Sequence, residues 1–251
     1  MHQPMWHRPM LKKNIVQQKF DCAAHSYDSN ANIQDECSSQ LVNIVASSSA
    51  NHLKKIADIG SGTGTTTQKL LPHARDAEYS LFDISPNMLS ISQKKLGNKN
   101  IQYIACDAEK HIFTEQYDLV ISNLCLQWFE DIESFIKKIM LHTKYFVFST
   151  LIHGSFAEFA NLFEKHGRKS PLQQYNTFAK LEKICQAFDI HALCETHVYN
   201  KQCENAYDAA CHFKSIGANV SNNIDSNISI VLRDSEPVNL EYIVFFGAIK
   251  R

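Results

Sequence analysis

The segment IADIGSGTG, Ile56 to Gly64, decides the fold of this chain. A short apolar run carrying one acidic residue, Asp58, gives way to glycines at three alternate positions, Gly60, Gly62 and Gly64. Glycine takes positive φ without penalty and has no Cβ to hold a ligand away from the turn. A helix from Thr65 to Leu71 follows directly, so its unpaired N–H groups and positive dipole end face whatever lies over the loop. A second apolar run, SLFD, ends at Asp83, about twenty residues further on, the spacing at which a βαβ unit brings a carboxylate to a ribose diol.

The loop reads GxGxG followed by Thr65 to Thr67, where a nicotinamide dinucleotide loop reads GxGxxG. That difference favours S-adenosylmethionine as cofactor. Asp58 and Ser61 lie inside the loop, and Asp58 is placed to help hold the methionine end beside Gly60. Asp83 suits both ribose hydroxyls, and Ile84 or Met88 can pack on adenine. In IACDAE, Asp107 can accept from the adenine amino group and Ala108 can offer its N–H. Asn123 and Leu124 end a later strand, where backbone carbonyls can meet the methionine ammonium. Singly, Asp83 before Ser-Pro reads equally as a turn former and Asp107 as a cap. As an ordered set at strand ends they read as one site.

With 251 residues and 44% apolar side chains the chain can bury a full core, and a single domain over 1–251 is expected. The net charge of −1 gives no field to recruit nucleic acid or a membrane surface. No apolar stretch approaches the roughly twenty residues of a membrane helix, and MHQPMWHRPM has no signal-peptide core, so a cytoplasmic address is expected. Eight cysteines without CxxC and twelve scattered histidines suggest reduced thiols and no metal.

Residues 12–49 have helical spacing, with Ile33, Cys37, Leu41, Ile44 and Val45 on one face. Strand and helix then alternate: strands Tyr79–Asp83, Ile101–Cys106, Tyr117–Ser122 and Tyr145–Thr150, with helices Pro86–Leu96 and Ile132–His142. Ser85 and Asp131 are N-caps, Pro86 a first helical residue and Gly97 a helix stop. In HGSFAEF, Ser155 and Glu158 have capping-box spacing for a helix towards Gly167, and Thr177 caps another to about Phe188. Strand Leu193–Cys203, helix Ala206–Ile216, a SNNIDSN loop and strand Leu240–Ile249 complete the chain. The expected fold is α/β and Rossmann-like: a seven-stranded, mostly parallel sheet with helices on both faces and a helical cap. It divides into an N-terminal helical lid (1–50), a cofactor-binding core (51–150), inserted cap helices (151–190) and C-terminal strands with a cap helix (191–251).

In order, IADIGSGTG, SLFDISPNML, IACDAE and YDLVISNLCLQW resemble the motifs of class I S-adenosylmethionine-dependent methyltransferases. The segments FDCAAHSYDSNANIQ, NLCLQW, STLIHGSFAE and HFKSIGAN resemble one branch, the malonyl-acyl-carrier-protein O-methyltransferases of biotin synthesis. The resemblance implies methylation of the free carboxylate of a malonyl thioester on acyl carrier protein, masking its charge so that chain extension towards pimelate can begin. Such a carboxylate, with a pKa near 3.9, is ionised at pH 7, so no general base is needed. Attack of carboxylate on a sulfonium methyl destroys two charges, which favours a dry, aligned site with a modest positive contact. Tyr27, Gln127, Trp128, His153 and Lys214 are the expected substrate-positioning residues, Tyr27 on a lid and Lys214 first in line for the carboxylate or the phosphopantetheine phosphate. Cys22 stands where relatives carry arginine in FxRAAxxY, which moves weight to His153, Arg168 and Lys214. Lys12, Lys13, Lys19, Lys165, Arg168, Lys169, Lys180 and Lys183 could dock the acidic carrier, or simply form solvated helix faces. A monomer is expected. Alternatives are a methyltransferase for another small carboxylic acid or a quinone ring, a non-catalytic S-adenosylmethionine-binding protein, and a nicotinamide oxidoreductase.

Overall fold

The computed structural model describes residues 13–48, 53–218 and 226–251. Helices α1 (Lys13–Ala23), α2 (Tyr27–Asn30) and α3 (Asn32–Ser47) precede β1 (Lys55–Ile59), α4 (Thr65–Leu70), β2 (Glu78–Asp83), α5 (Pro86–Leu96), β3 (Ile101–Ala105) and β4 (Leu119–Ser122). Then come α6 (Ile132–Met140), β5 (Tyr145–Leu151), α7 (Ala157–Lys165), α8 (Phe178–Gln186), β6 (Leu193–Cys203), α9 (Ala206–Ser215), α10 (Ser226–Val231) and β7 (Val238–Lys250).

The strands form one seven-stranded sheet in the order β3-β2-β1-β4-β5-β7-β6. β1 pairs in parallel with both β2 and β4, whereas β7 runs antiparallel to β5 and β6. The chain therefore starts in the middle of the sheet and builds outward in both directions. The crevice between the ends of β1 and β4 is the switch point where such sheets bind ligands.

Alternation along the strands assigns their side chains to two cores. Ile56, Tyr145, Val147, Val244 and Phe246 face one layer with α3, α7 and α9. Ala57, Ile59, Phe146, Phe148 and Phe245 face the other with α6 and α8. Local chemistry sets the helix ends. Ser85 accepts from Met88 N with Pro86 in the first turn, and Gly97 closes α5 at φ +77°. Asp131 and Thr177 accept from Ser134 N and Lys180 N to cap α6 and α8.

Several expectations change. The helical spacing read over 12–49 is realised as three helices, and residues 12 and 49 lie outside the described residues. Tyr117 makes only an isolated bridge to Thr143, so β4 starts at Leu119. The Ser155 hydroxyl donates to the carbonyls of Ile152 and Ile243, so it caps nothing. α7 starts instead after Phe156, which takes a left-handed conformation at φ +62°. α8 is not a cap helix: Leu181, Ile184 and Cys185 bury it against the second face of the sheet. In SNNIDSN, Ser226 and Asn227 open α10, and the rest lies outside the described residues.

Candidate active site

The glycine loop turns sharply at the end of β1 and is fastened to β2. Gly60 N and Ser61 N both donate to the Phe82 carbonyl, at 2.7 and 3.0 Å. Asp83 finishes the job: Oδ2 accepts from Gly62 N at 2.8 Å and Oδ1 from Ser85 N at 2.8 Å. Gly60, Gly62 and Gly64 all have positive φ. They serve different ends. A Cβ on Gly64 would run into Ser92 and Leu96 of α5, and one on Gly60 into Cys125, whereas one on Gly62 would meet only open space. Close packing against α5 explains the first and against the turn after β4 the second, while Gly62 leaves the face of the loop open.

Over this loop lies a cavity, partly open to solvent, with about 640 Å³ of empty space, which Gly60, Gly62, Asp83, Ile84, Met88, Asp107, Ala108, Asn123 and Leu124 all line. Nine sequence-assigned cofactor residues thus meet around one space. Asp83 is buried, and burial pushes its pKa up to about 6 against the opposing pull of its backbone donors. Asp107 Oδ2 is buried without a partner, an acceptor left for a ligand such as an adenine amino group. An open glycine face, a strand-end carboxylate and an unpaired acceptor in that order fit S-adenosylmethionine.

Three assigned residues stand elsewhere. Asp58 lies behind the loop, 1% exposed, and Oδ2 accepts from Thr67 Oγ1 at 2.7 Å. It ties β1 to α4 and does not line the cavity, and burial pushes its pKa up to about 7. Gly64 begins α4. Ser61 lines a neighbouring polar cleft with Asp28 and Gln34, its hydroxyl buried and unpartnered. The Asn123 side chain is committed, donating to Gln34 O and Ser38 Oγ at 2.8 Å each, while its Oδ1 accepts from Ser149. Only its backbone is left for a ligand. Leu124 takes φ +45°, a strained turn that brings the β4 end over the glycine loop.

Helices α1 and α2 cover this cavity, held by polar contacts of three residues that the glycine motif gives no hint of. Asp21 accepts from Ser85 Oγ at 2.5 Å and from Asn87 N at 3.2 Å, where a carboxylate also suits the start of α5. Asp28 accepts from Thr63 Oγ1 at 2.5 Å and pairs with Lys95 at 2.6 Å. Lys13 pairs with Glu109 at 2.8 Å and sits 4.6 Å from the Phe129 ring centroid, so it is not a free docking lysine. Lys165 is likewise paired, with Asp234 and Glu236.

Beyond Tyr27 and Trp128 a second cavity of about 480 Å³ adjoins the first, sharing Phe20, Tyr27, Leu124 and Trp128 as walls. Phe20 and Trp128 meet edge to face at 5.6 Å. The lining is aromatic and aliphatic with neutral polar tips, and no charged side chain belongs to it among the described residues. Burial, with Asp83 and Asp28 nearby, pushes the Tyr27 pKa up and keeps it a neutral phenol. Gln127 lines this cavity, but its amide is used: Nε2 donates to Leu124 O at 2.5 Å and Oε1 accepts from Thr150 Oγ1 at 3.2 Å. His153 and Arg168 are exposed and line neither cavity. Lys214 is exposed too, in a surface groove between α1 and α9 with Lys19. The positive contact expected at the acceptor carboxylate is therefore not supplied by these residues. Phe20, Gln34, Phe213 and Tyr242 line the second cavity and were not singled out by sequence reasoning. The first two lie in FDCAAHSYDSNANIQ, which carried the signal.

Among the described residues no group of three or more His, Cys, Asp or Glu could hold a metal, and no helix is long and apolar enough to cross a membrane.

Residues 57–144 match a family described as a methyltransferase domain. A protein of Priestia megaterium named malonyl-[acyl-carrier protein] O-methyltransferase is 30% identical over 70% of this chain and 68% of its own length. One of the same name from Neorickettsia risticii is 31% identical over 69% of each chain. A third, from Acetivibrio thermocellus, is 31% identical over 74% of this chain, which spans 65% of that relative. Among solved structures, the YcgJ protein of a Bacillus superposes with a TM-score of 0.56 at 14% identity, covering 84% of this chain and 97% of that one. The plantazolicin methyltransferase BpumL in complex with SAH superposes with a TM-score of 0.51 at 13% identity, covering 96% and 98%. These structural likenesses concern the fold.

Proposed function

We propose, from the premise that this chain belongs to the malonyl-[acyl-carrier protein] O-methyltransferase family of methyltransferases, that it methylates the free carboxylate of a malonyl thioester carried on acyl carrier protein. The product methyl ester would enter chain extension towards the pimeloyl precursor of biotin. The observation that carries this reading is the pair of cavities: one over the glycine loop, lined by Asp83 and Asp107, and a neutral, aromatic one beside it, with Tyr27 and Trp128 between.

S-adenosylmethionine, when bound, supplies an electrophilic methyl group on a sulfonium sulfur. Asp83 and Asp107 would hold its ribose and adenine, and the backbone of Gly60, Gly62 and Leu124 its methionine end. Phe20, Tyr27 and Trp128 would exclude water from the transfer point. An acceptor carboxylate with a pKa near 3.9 arrives ionised, and no residue has to take a proton. An uncharged wall suits a reaction that destroys two charges, because a tightly paired ammonium would stabilise the ground state more than the transition state.

Incubating malonyl-loaded carrier protein with S-adenosylmethionine should add one methyl mass by mass spectrometry. Methylation of free malonate or of the coenzyme A thioester, with the carrier-bound acid unchanged, would overturn carrier specificity.

Cofactor affinity should depend on pH through Asp83. Its pKa is raised to about 6, so the ionised acceptor predominates at pH 7 and is lost as the pH falls through that value. S-adenosylhomocysteine binding, measured by titration calorimetry, should be flat from pH 8 to 7 and weaken by up to about tenfold per unit below pH 6.

A further inference from the structure

Two glutamines line the neutral cavity, and only one is spent on the protein's own structure. Both ends of the Gln127 amide are held, by Leu124 O and by Thr150 Oγ1. The Tyr242 hydroxyl is also engaged, 2.7 Å from His212 Nε2. Gln34 differs. Its backbone carbonyl accepts from Asn123 Nδ2 and Ser38 Oγ, which fixes the first turn of α3 against the end of β4. Its side-chain Oε1, by contrast, is buried with no partner.

Gln34 also lines two spaces at once, the polar cleft beside Gly60 and Gly62 and the neutral cavity beyond Tyr27. A buried amide end without a partner is destabilising, so a ligand that satisfies the head group is favoured. The two ends of a glutamine amide exchange by rotation of the head group, which puts N–H donors where Oε1 now lies.

We propose that Gln34 is the carboxylate-binding residue of the acceptor site: its amide N–H donates to one oxygen of the malonyl carboxylate and aims the other oxygen at the methyl group. This rests on the malonyl reading above. In the step it serves, a carboxylate oxygen lone pair forms the new C–O bond and the S–C bond breaks with its electron pair left on sulfur. The sulfonium and carboxylate charges vanish together and no proton moves. A neutral donor suits this balance, since it orients the carboxylate without pairing its charge. It also replaces the cation that Lys214, His153 and Arg168 do not provide.

Gln34→Met keeps the length and packing of the side chain and removes the donor. Its kcat/KM for the malonyl thioester should fall about 10- to 100-fold, mostly through KM, as for one hydrogen bond to a charged group. Affinity for S-adenosylhomocysteine and the melting temperature should stay near wild type, which a merely structural role would not allow. Gln34→Glu sets a carboxylate against the carboxylate and should lose more than Gln34→Met. Wild-type turnover with Gln34→Met unchanged would overturn this assignment alone. Absence of wild-type turnover on every malonyl thioester would overturn the malonyl reading and this assignment with it.

Discussion

Replacing Asp83 with Ala should raise the dissociation constant of S-adenosylhomocysteine at least about 100-fold, as measured by titration calorimetry. Hydrogen bonds from ligand hydroxyls to a buried carboxylate are each worth about 1.5–3 kcal/mol, and two of them account for that loss. The loop suffers as well, because Gly62 N and Ser85 N each lose their acceptor. Fold stability should change far less. Burial holds the Asp83 carboxylate at a pKa of about 6, so its ionised form costs about 3 kcal/mol at neutral pH, and removing it returns free energy that offsets the two unpaired N–H groups. Asp83→Asn, which keeps one acceptor oxygen, should fall between. Binding within about fivefold of wild type in Asp83→Ala would remove the cofactor from this cavity.

The second large effect is expected at Gly60, and it falls on stability before it falls on binding. Alanine at φ +68° pays the left-handed penalty of about 1–2 kcal/mol, and its methyl group would overlap Cys125. Together these should cost about 2–4 kcal/mol and lower the melting temperature by about 5–15 °C, read by calorimetry. Adding Cys125→Gly should recover the steric share and leave the backbone share. Gly62→Ala is the contrast: at φ +55° it pays the same left-handed penalty but meets nothing, so it should melt lower by the backbone share alone, about 2–8 °C, yet bind cofactor poorly, because the new methyl group occupies ligand space. A Gly60→Ala protein that melts like wild type would contradict the loop geometry.

What the sequence made legible was what local chemistry decides. The limits of α5 followed from Ser85, Pro86 and Gly97 because cap and stop act within one turn. Asp83 and Asp107 could be placed since strand ends in a parallel sheet share one edge of the sheet. Side-chain direction on the helices over that edge was not legible. Phe213 and Lys214 are adjacent in α9, yet the roughly 100° step of a helix turns Phe213 into the neutral cavity and Lys214 into the outer groove. Gln127 was attractive as the neighbour of Trp128, but its amide is consumed by contacts with Leu124 and Thr150, the latter more than twenty positions away. Gln34 carried no local signal beyond its place at the end of FDCAAHSYDSNANIQ, because its neighbours come from β4, β5 and α9. Asp58 shows the converse error: it sits beside the glycines in sequence and behind them in space.

The contacts by which Asp21, Asp28 and Lys13 fasten the lid all involve a charged group. The ion-paired part of that grip, Asp28 to Lys95 and Lys13 to Glu109, loosens as mobile ions screen it, while lifting the lid also uncovers Val16, Phe20 and Tyr27. Exchange of spent cofactor for fresh is therefore tied to ionic strength: added salt should shorten the residence of the product on the protein, setting turnover by the unfastening of a few ion pairs as much as by the chemistry underneath.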